Sequence, residues 1–264
     1  MKKVIWLLAL IFSVSACSSD DENPQTGDST SDYFPLATGN TWKYNVASEQ
    51  TNTLDVISAT GQTTISGKSY YTMEAANIPT GFFTSSINQK ALRNDNNTVF
   101  MTGDLDFNLG EMFPVDLQLE DFILVKSGAA NSQLLSTVSG SMSKTYENIP
   151  LTANYTLSTV NQNSLESYTS QGIVYNDVKV VKLALTMKVV ATVTIAGFPL
   201  NFTVLESQDV ISSMQYYAKD KGLVHSETTL SYNLQDLSNF PIQLPLEQSQ
   251  SQTINEFLVD FQQN

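Results

Sequence analysis

The chain has 264 residues, of which 41% are hydrophobic, 10% aromatic and only 15% charged, with one Cys and one His. Thirteen Lys plus Arg stand against 26 Asp plus Glu, a formal net charge of −13. That balance repels a phosphate backbone and argues against a nucleic-acid partner, while one thiol and one imidazole exclude a disulfide scaffold, a Cys-rich zinc site and a multi-His metal centre. No cofactor is expected.

Residues 1–16 read as a signal peptide. Lys2 and Lys3 give a positive start, Val4 to Phe12 is apolar, and Ser13-Val14-Ser15-Ala16 supplies small residues before Cys17. The apolar run is too short to cross a bilayer, which takes about 20 residues, but suits a secretory signal. Val14-Ser15-Ala16-Cys17 resembles the lipobox of bacterial lipoproteins. The resemblance implies that Cys17 is acylated and becomes the first residue of a mature chain of charge −15, since Lys2 and Lys3 depart with the signal. Two or three acyl chains, at about 0.8 kcal/mol per buried CH₂, anchor a protein stably, so the expected partner at this end is a membrane.

Residues 17–32 read as the lipidated Cys followed by an acidic tether. Ser18, Ser19, Asp20, Asp21 and Glu22 resemble the surface-export signal of Bacteroidota lipoproteins, which implies an outer-membrane protein facing the cell exterior; a periplasm-facing orientation is the alternative. The stretch from Asn23 to Asp32 has no aliphatic or aromatic side chain with which to offset the entropy of ordering. As a coil the tether spans about 20 Å. Asp28-Ser29-Thr30 resembles a Bacteroidota O-glycosylation acceptor centred on Ser29.

Residues 33–240 read as a single β-rich domain. Trp42, Tyr44 and Val46 alternate with polar residues, as do Leu151, Ala153, Tyr155 and Leu157. The longest alternation runs from Val181 to Ile195, about 50 Å at ~3.3 Å per residue, which requires strong twist or curvature. One buried and one wet face imply an antiparallel sheet. Asn94-Asp95-Asn96-Asn97 and Ala196-Gly197-Phe198-Pro199 read as hairpin connections, and ten to twelve strands are expected with no helix between 33 and 245. The fold class is thus mainly β: a curved antiparallel sheet, or a two-layer or half-barrel domain.

Residues 241–264 read as a linker and a short C-terminal helix. Thr253-Ile254-Asn255-Glu256 fits a capping box, and Ile254, Phe257, Leu258 and Phe261 follow helical spacing. A C-terminal edge strand is the alternative.

Three stretches resemble motifs of uncharacterised Bacteroidota lipoproteins. They are Tyr33-Phe34-Pro35-Leu36 with Gly39-Asn40 and Trp42-Lys43-Tyr44; Tyr175-Asn176-Asp177-Val178-Lys179-Val180; and Tyr217-Ala218-Lys219-Asp220-Lys221-Gly222-Leu223-Val224. The resemblance implies a lipid-anchored, β-rich domain and no particular activity.

Few residues invite chemistry. Gly61 to Ser69 has five residues between its glycines where a P-loop has four, so it reads as a hairpin turn. Asp104, Asp106 and Asp116 are calcium candidates within a crowd of acids, although Leu109 and Val115 stand where an EF-hand needs Gly and Glu. His225 lies in a strand-like run without a nucleophile elbow and reads as a surface histidine. Tyr70-Tyr71, Phe82-Phe83 and Tyr216-Tyr217 are expected to place one ring inside and one outside, the outer rings being available to stack on sugars.

These readings favour a non-catalytic binding or interaction module, with a glycan or envelope protein as partner. The alternatives are a carrier holding a lipid or other hydrophobic ligand in a β-sheet cavity, motivated by the Val181–Ile195 face, and a hydrolase of envelope or glycan substrates.

Overall fold

The computed structural model describes residues 32–49, 51–108, 114–146, 148–236, 238 and 247–264. The lipidation and export residues Cys17, Ser18, Ser19, Asp20, Asp21 and Glu22, and the acceptor Ser29, lie outside them. In chain order come β1 (Thr41–Ser48), β2 (Asn52–Ile65), β3 (Lys68–Ala75), α1 (Phe82–Ile87), β4 (Ala91–Asp95), β5 (Thr98–Asn108) and β6 (Pro114–Lys126). Then follow β7 (Leu134–Tyr146), β8 (Ile149–Asn161), β9 (Leu165–Ser170), β10 (Ile173–Ile195), β11 (Phe198–Ala218), β12 (Gly222–Asn233) and β13 (Ser249–Gln262).

All strand pairs are antiparallel, in the order β6-β5-β4-β3-β2-β1-β13-β12-β11-β10-β8-β7, with β9 paired to β10 beside this path. The sheet curls into a nearly closed barrel. Its seam is bridged by side chains: Ser136 Oγ of β7 accepts from Ile123 N of β6, and Thr159 Oγ1 of β8 donates to Ile123 O. The expected alternation is present, and the strand containing Val181–Ile195 begins earlier than its pattern suggested, at Ile173. Four of the hairpin turns are two-residue loops with positive φ at both positions: Ser66-Gly67, Asn96-Asn97, Gln171-Gly172 and Ala196-Gly197. Their twist matches that of the flanking strands.

Several expectations are overturned, among them the absence of a helix between 33 and 245, which α1 breaks, and the count of ten to twelve strands, which is thirteen among the described residues. The C-terminal segment is a strand, β13, laid between β1 and β12, and neither a helix nor an edge; Ser249–Gln252, expected as linker, belongs to it. Its helical spacing is a by-product of sheet irregularity. Ile254, Glu256 and Leu258 face inward, opposite Ser48, Val46 and Tyr44, and Val259 is the extra residue of a bulge between the Lys43–Asp260 and Tyr44–Leu258 pairs. The bulge shifts the phase so that Phe261 turns inward onto Trp42. With a carboxylate at 256 interrupting the apolar alternation, what remains is a false i, i+3, i+4, i+7 pattern. Phe82-Phe83, expected in a strand, opens the short helix α1 with both rings buried.

A barrel of about eight strands is just filled by its own side chains, so a twelve-strand path needs additional filling. One end is filled by aromatic residues, and there the three lipoprotein-like motifs meet. Trp42 lies between Phe34 (ring centroids 4.6 Å) and Phe261 (5.2 Å) and donates from Nε1 to Lys221 O at 2.9 Å. Tyr33 Oη donates to Asp177 Oδ1 at 2.7 Å, and Tyr44 Oη to Leu223 O at 3.0 Å. Gly222, with φ +90°, is required here: a Cβ would stand 3.0 Å from Trp42 Nε1 and 3.1 Å from Phe34. Further along, α1 fills the lumen.

Candidate functional site

A six-residue helix has almost no intrinsic stability, and Gly81 at its N-cap offers no side-chain bond. Two strands supply what α1 lacks. Glu256 of β13 accepts from Phe83 N (2.7 Å) and Thr84 N (3.0 Å), and from Ser226 Oγ of β12 (3.0 Å). Asp55 of β2 accepts from Thr80 N (2.9 Å) and Gly81 N (2.8 Å). Thr84 Oγ1 lies 2.5 Å from Asp55 Oδ2 and 3.0 Å from Glu256 Oε1, so its single proton serves one carboxylate at a time. Burial raises the carboxyl of Glu256 above its ordinary value against the pull of its four donors. Glu256, expected in a capping box for a helix of its own, instead caps one whose bonded N–H groups lie 173 and 172 residues earlier in the chain.

This packing leaves no room at Gly81, where a Cβ would stand 2.1 Å from Glu256 Oε1. Gly81 has an ordinary φ of −73°, so the constraint is steric rather than conformational. Gly81→Ala is expected to cost about 1–3 kcal/mol by overpacking, read as a lowered urea midpoint; an unchanged midpoint contradicts the placement of α1.

On its other side α1 floors a recess of about 360 Å³ in the lumen. Ser85, Ser86, Asn88 and Lys90 line the helix side, and Ile211, Leu230 and Ile254 form an aliphatic wall on three adjacent strands, β11, β12 and β13. Leu105 and Asp106 of β5 complete it. The volume suits a small molecule.

Of the sequence candidates, Asp106 lines this recess and the others fall elsewhere. Asp104, Asp106 and Asp116 are all exposed on β5 and β6; Asp106 faces Asp116 across the ladder, Asp104 faces Gln118, and among the described residues no three potential ligands gather as a metal site. Asp121, from the same acidic stretch, is instead bound by Arg93 Nε (2.9 Å), Tyr70 Oη (2.6 Å) and Lys68, with Arg93 held over the Phe100 ring at 3.8 Å. The Arg93 hydrogen bond, foremost, holds the Asp121 carboxyl well below the usual carboxylate range.

His225 is not a surface histidine: it is 8% exposed, on the outer face of the barrel but covered. Its ring stacks between Phe257 (4.6 Å) and Tyr216 (5.3 Å), and Tyr216 in turn stacks on Tyr168 at 4.3 Å. Nδ1 lies 2.6 Å from Tyr168 Oη and Nε2 lies 3.2 Å from Asn255 Oδ1. Asn255 Oδ1 can only accept, so Nε2 carries the proton and Nδ1 accepts from Tyr168, a neutral imidazole fully used. Tyr217 is buried inside and Tyr216 outside, as alternation requires, but the outer ring is flanked on both faces by neighbouring rings and has none left for a sugar.

Burial lowers the His225 pKa below its ordinary 6.5, against opposing effects of Asn255 and Glu227. A histidine whose folded pKa is depressed favours the unfolded chain once protonated, so its stabilising effect is lost as pH falls below about 6.5. Wild type is expected to lose more stability between pH 7.5 and 5.5 than His225→Gln, by urea unfolding. Equal losses contradict the neutral buried imidazole.

Asp55 and Glu256 escaped the sequence reading, yet both carry a signal. Each is an acid at the inward phase of a strand, Asp55 beside Ile57 and Ala59, Glu256 beside Ile254 and Leu258. A charge on the core face needs a partner, and a buried helix terminus is one.

No family model matches the chain, and no curated protein matches it. Among solved structures, a crystal structure from Parabacteroides distasonis, described provisionally as a lipoprotein, is similar at a TM-score of 0.41 and 12% identity, over 88% of this chain and 99% of that one.

Proposed function

We propose that the protein is a lipid-anchored, non-catalytic binding module of a bacterial outer membrane, facing the cell exterior, which takes a small ligand in the recess above α1. The observation that carries the binding reading is the contrast between the two parts of the lumen: aromatic packing at one end, and a recess of about 360 Å³ with one polar and one aliphatic side beyond α1. Anchorage rests on the lipobox-like residues before Cys17, and orientation on Ser18 to Glu22. The non-catalytic reading is supported by the use already made of the buried acids and the histidine, whose lone pairs and protons are committed to α1, Tyr168 and Asn255.

The carrier reading loses its motive. Val181, Leu183, Leu185, Met187, Val189 and Ala191 are each at most 2% exposed, so the long apolar face is spent on the core rather than on a lipid along all but its last residues, with Val193 partly buried and Ile195 43% exposed beside the β10–β11 turn.

Two measurements test the proposal. The native protein is expected to carry the mass of an acylated mature chain and to leave membranes only with detergent, whereas Cys17→Ser releases it; an unmodified mass contradicts the anchor. The described core lies wholly within residues 32–264, so the mature Cys17→Ser chain serves for solution work. The dye 1-anilinonaphthalene-8-sulfonate (ANS) is expected to bind it at one site, to be lost in Leu230→Trp and retained in Phe198→Ser, which removes the 71% exposed ring at the β10–β11 tip. Absent binding, or binding lost only in Phe198→Ser, contradicts the recess.

A further inference from the structure

Resting on the reading of the recess as the ligand site, we infer that its ligand is a small zwitterion with an aliphatic side group, an amino acid or short peptide. Three features of the lining converge on that chemistry.

The first is Lys90. It lines the recess, and its ammonium has no ion-pair partner among the described residues. Its stem is guided across Gly103, where a Cβ would stand 2.9 Å from Lys90 Cδ, so the side chain passes through space that only glycine leaves open. Close by in sequence, Asn88 spends Oδ1 in accepting from Ala75 N at 2.9 Å, which leaves its amide N–H groups with no protein acceptor among the described residues. A cation and an amide donor at one side of a recess make a place for a carboxylate.

The second is Asp106. It lines the same recess from an exposed position on β5, opposite Asp116, and it too has no cationic partner among the described residues. Two opposite charges that share a recess without pairing with each other are satisfied together by one ligand carrying both. A fatty acid would leave Asp106 unanswered; an amine would leave Lys90 unanswered.

The third is the wall. Ile211, Leu230 and Ile254 are branched aliphatics on neighbouring strands, and Leu105 joins them in the lining. Branched aliphatics bury an aliphatic side chain well and offer no flat ring for a sugar to stack on. A recess of about 360 Å³ lies at the small end of ligand pockets, which start at about 300 Å³, and suits a ligand between a single amino acid and a dipeptide in size.

Displacement of ANS from the mature Cys17→Ser chain tests this. L-Leucyl-L-leucine is expected to displace the dye. N-Acetyl-leucyl-leucine, which lacks the ammonium, leucyl-leucinamide, which lacks the carboxylate, and glycylglycine, which lacks the side chains, are each expected to be at least tenfold weaker. Lys90→Met and Asp106→Asn are each expected to weaken the dipeptide at least tenfold without moving the thermal midpoint. Equal displacement by the N-acetylated dipeptide or by 4-methylpentanoate overturns the zwitterion, as does bound dye that no dipeptide displaces; in those cases dye binding and its loss in Leu230→Trp leave the recess standing. No dye binding at all overturns the recess and the zwitterion together.

Discussion

Replacing Glu256 with alanine is expected to destabilise the protein by about 3–5 kcal/mol, because it removes the acceptor of Phe83 N, Thr84 N and Ser226 Oγ at once. Each donor is buried, and none has water to turn to. For a domain of this size, at about 2–4 °C per kcal/mol, the melting midpoint should fall by roughly 6–20 °C. Glu256→Gln distinguishes loss of an acceptor from loss of volume. Each carboxylate oxygen faces one backbone N–H, so an amide must set its own NH₂ against one of them. The Gln variant is therefore expected to fall between wild type and Ala. If both variants melt with wild type, α1 is not held by this residue. The pH dependence of this site runs opposite to that of His225: with its carboxyl raised, Glu256 favours the fold more as pH falls through the raised value.

Trp42→Ala is the second large effect, expected at about 3–5 kcal/mol. Trp42 is fully buried, stacked on Phe34 and Phe261, and bonded to the turn before β12. It ties together the chain entering β1, the end of β13 and the Lys221-Gly222 turn, so the cavity it leaves has walls from three distant parts of the sequence and collapses poorly. Trp42→Phe keeps most of the stacking and loses the Nε1 donor, at a cost of about 1–2 kcal/mol. Urea unfolding followed by far-ultraviolet circular dichroism reads both. A Trp42→Ala loss under 1 kcal/mol contradicts the packed end of the barrel.

Legibility in the sequence followed the range of the interactions involved. Alternation over Trp42–Val46, Leu151–Leu157 and Val181–Ile195 is local, and so are the two-residue turns, so β-class and hairpin topology could be read directly. Closure could not, because it depends on β13 returning to lie between β1 and β12. That strand was disguised by a bulge at Val259 and by the inward Glu256, both of which follow from partners far away in sequence. The same holds for α1: nothing in Phe82 to Ile87 specifies a helix, and its caps come from 26 residues away for Gly81–Asp55 and 173 for Phe83–Glu256. His225 looked exposed because its own strand places it on the outer face; its cover comes from Tyr168 on the β9 hairpin and Phe257 on β13. The motif resemblances named residues that do pack together, at the closed end, and so marked architecture rather than a site. The recess drew its lining from α1, β5, β11, β12 and β13, and no one stretch carried its pattern.

Methyl spectroscopy tests the central claim most directly. With Ile, Leu and Val methyl groups labelled, addition of L-leucyl-L-leucine to the mature Cys17→Ser chain should shift Leu105, Ile211, Leu230 and Ile254 together and saturably, while Val181, Leu183 and Leu185 in the packed core stay in place. Shifts centred on Val181 to Leu185 under any small ligand, with the recess methyl groups unmoved, would contradict the division of the lumen on which the functional reading stands.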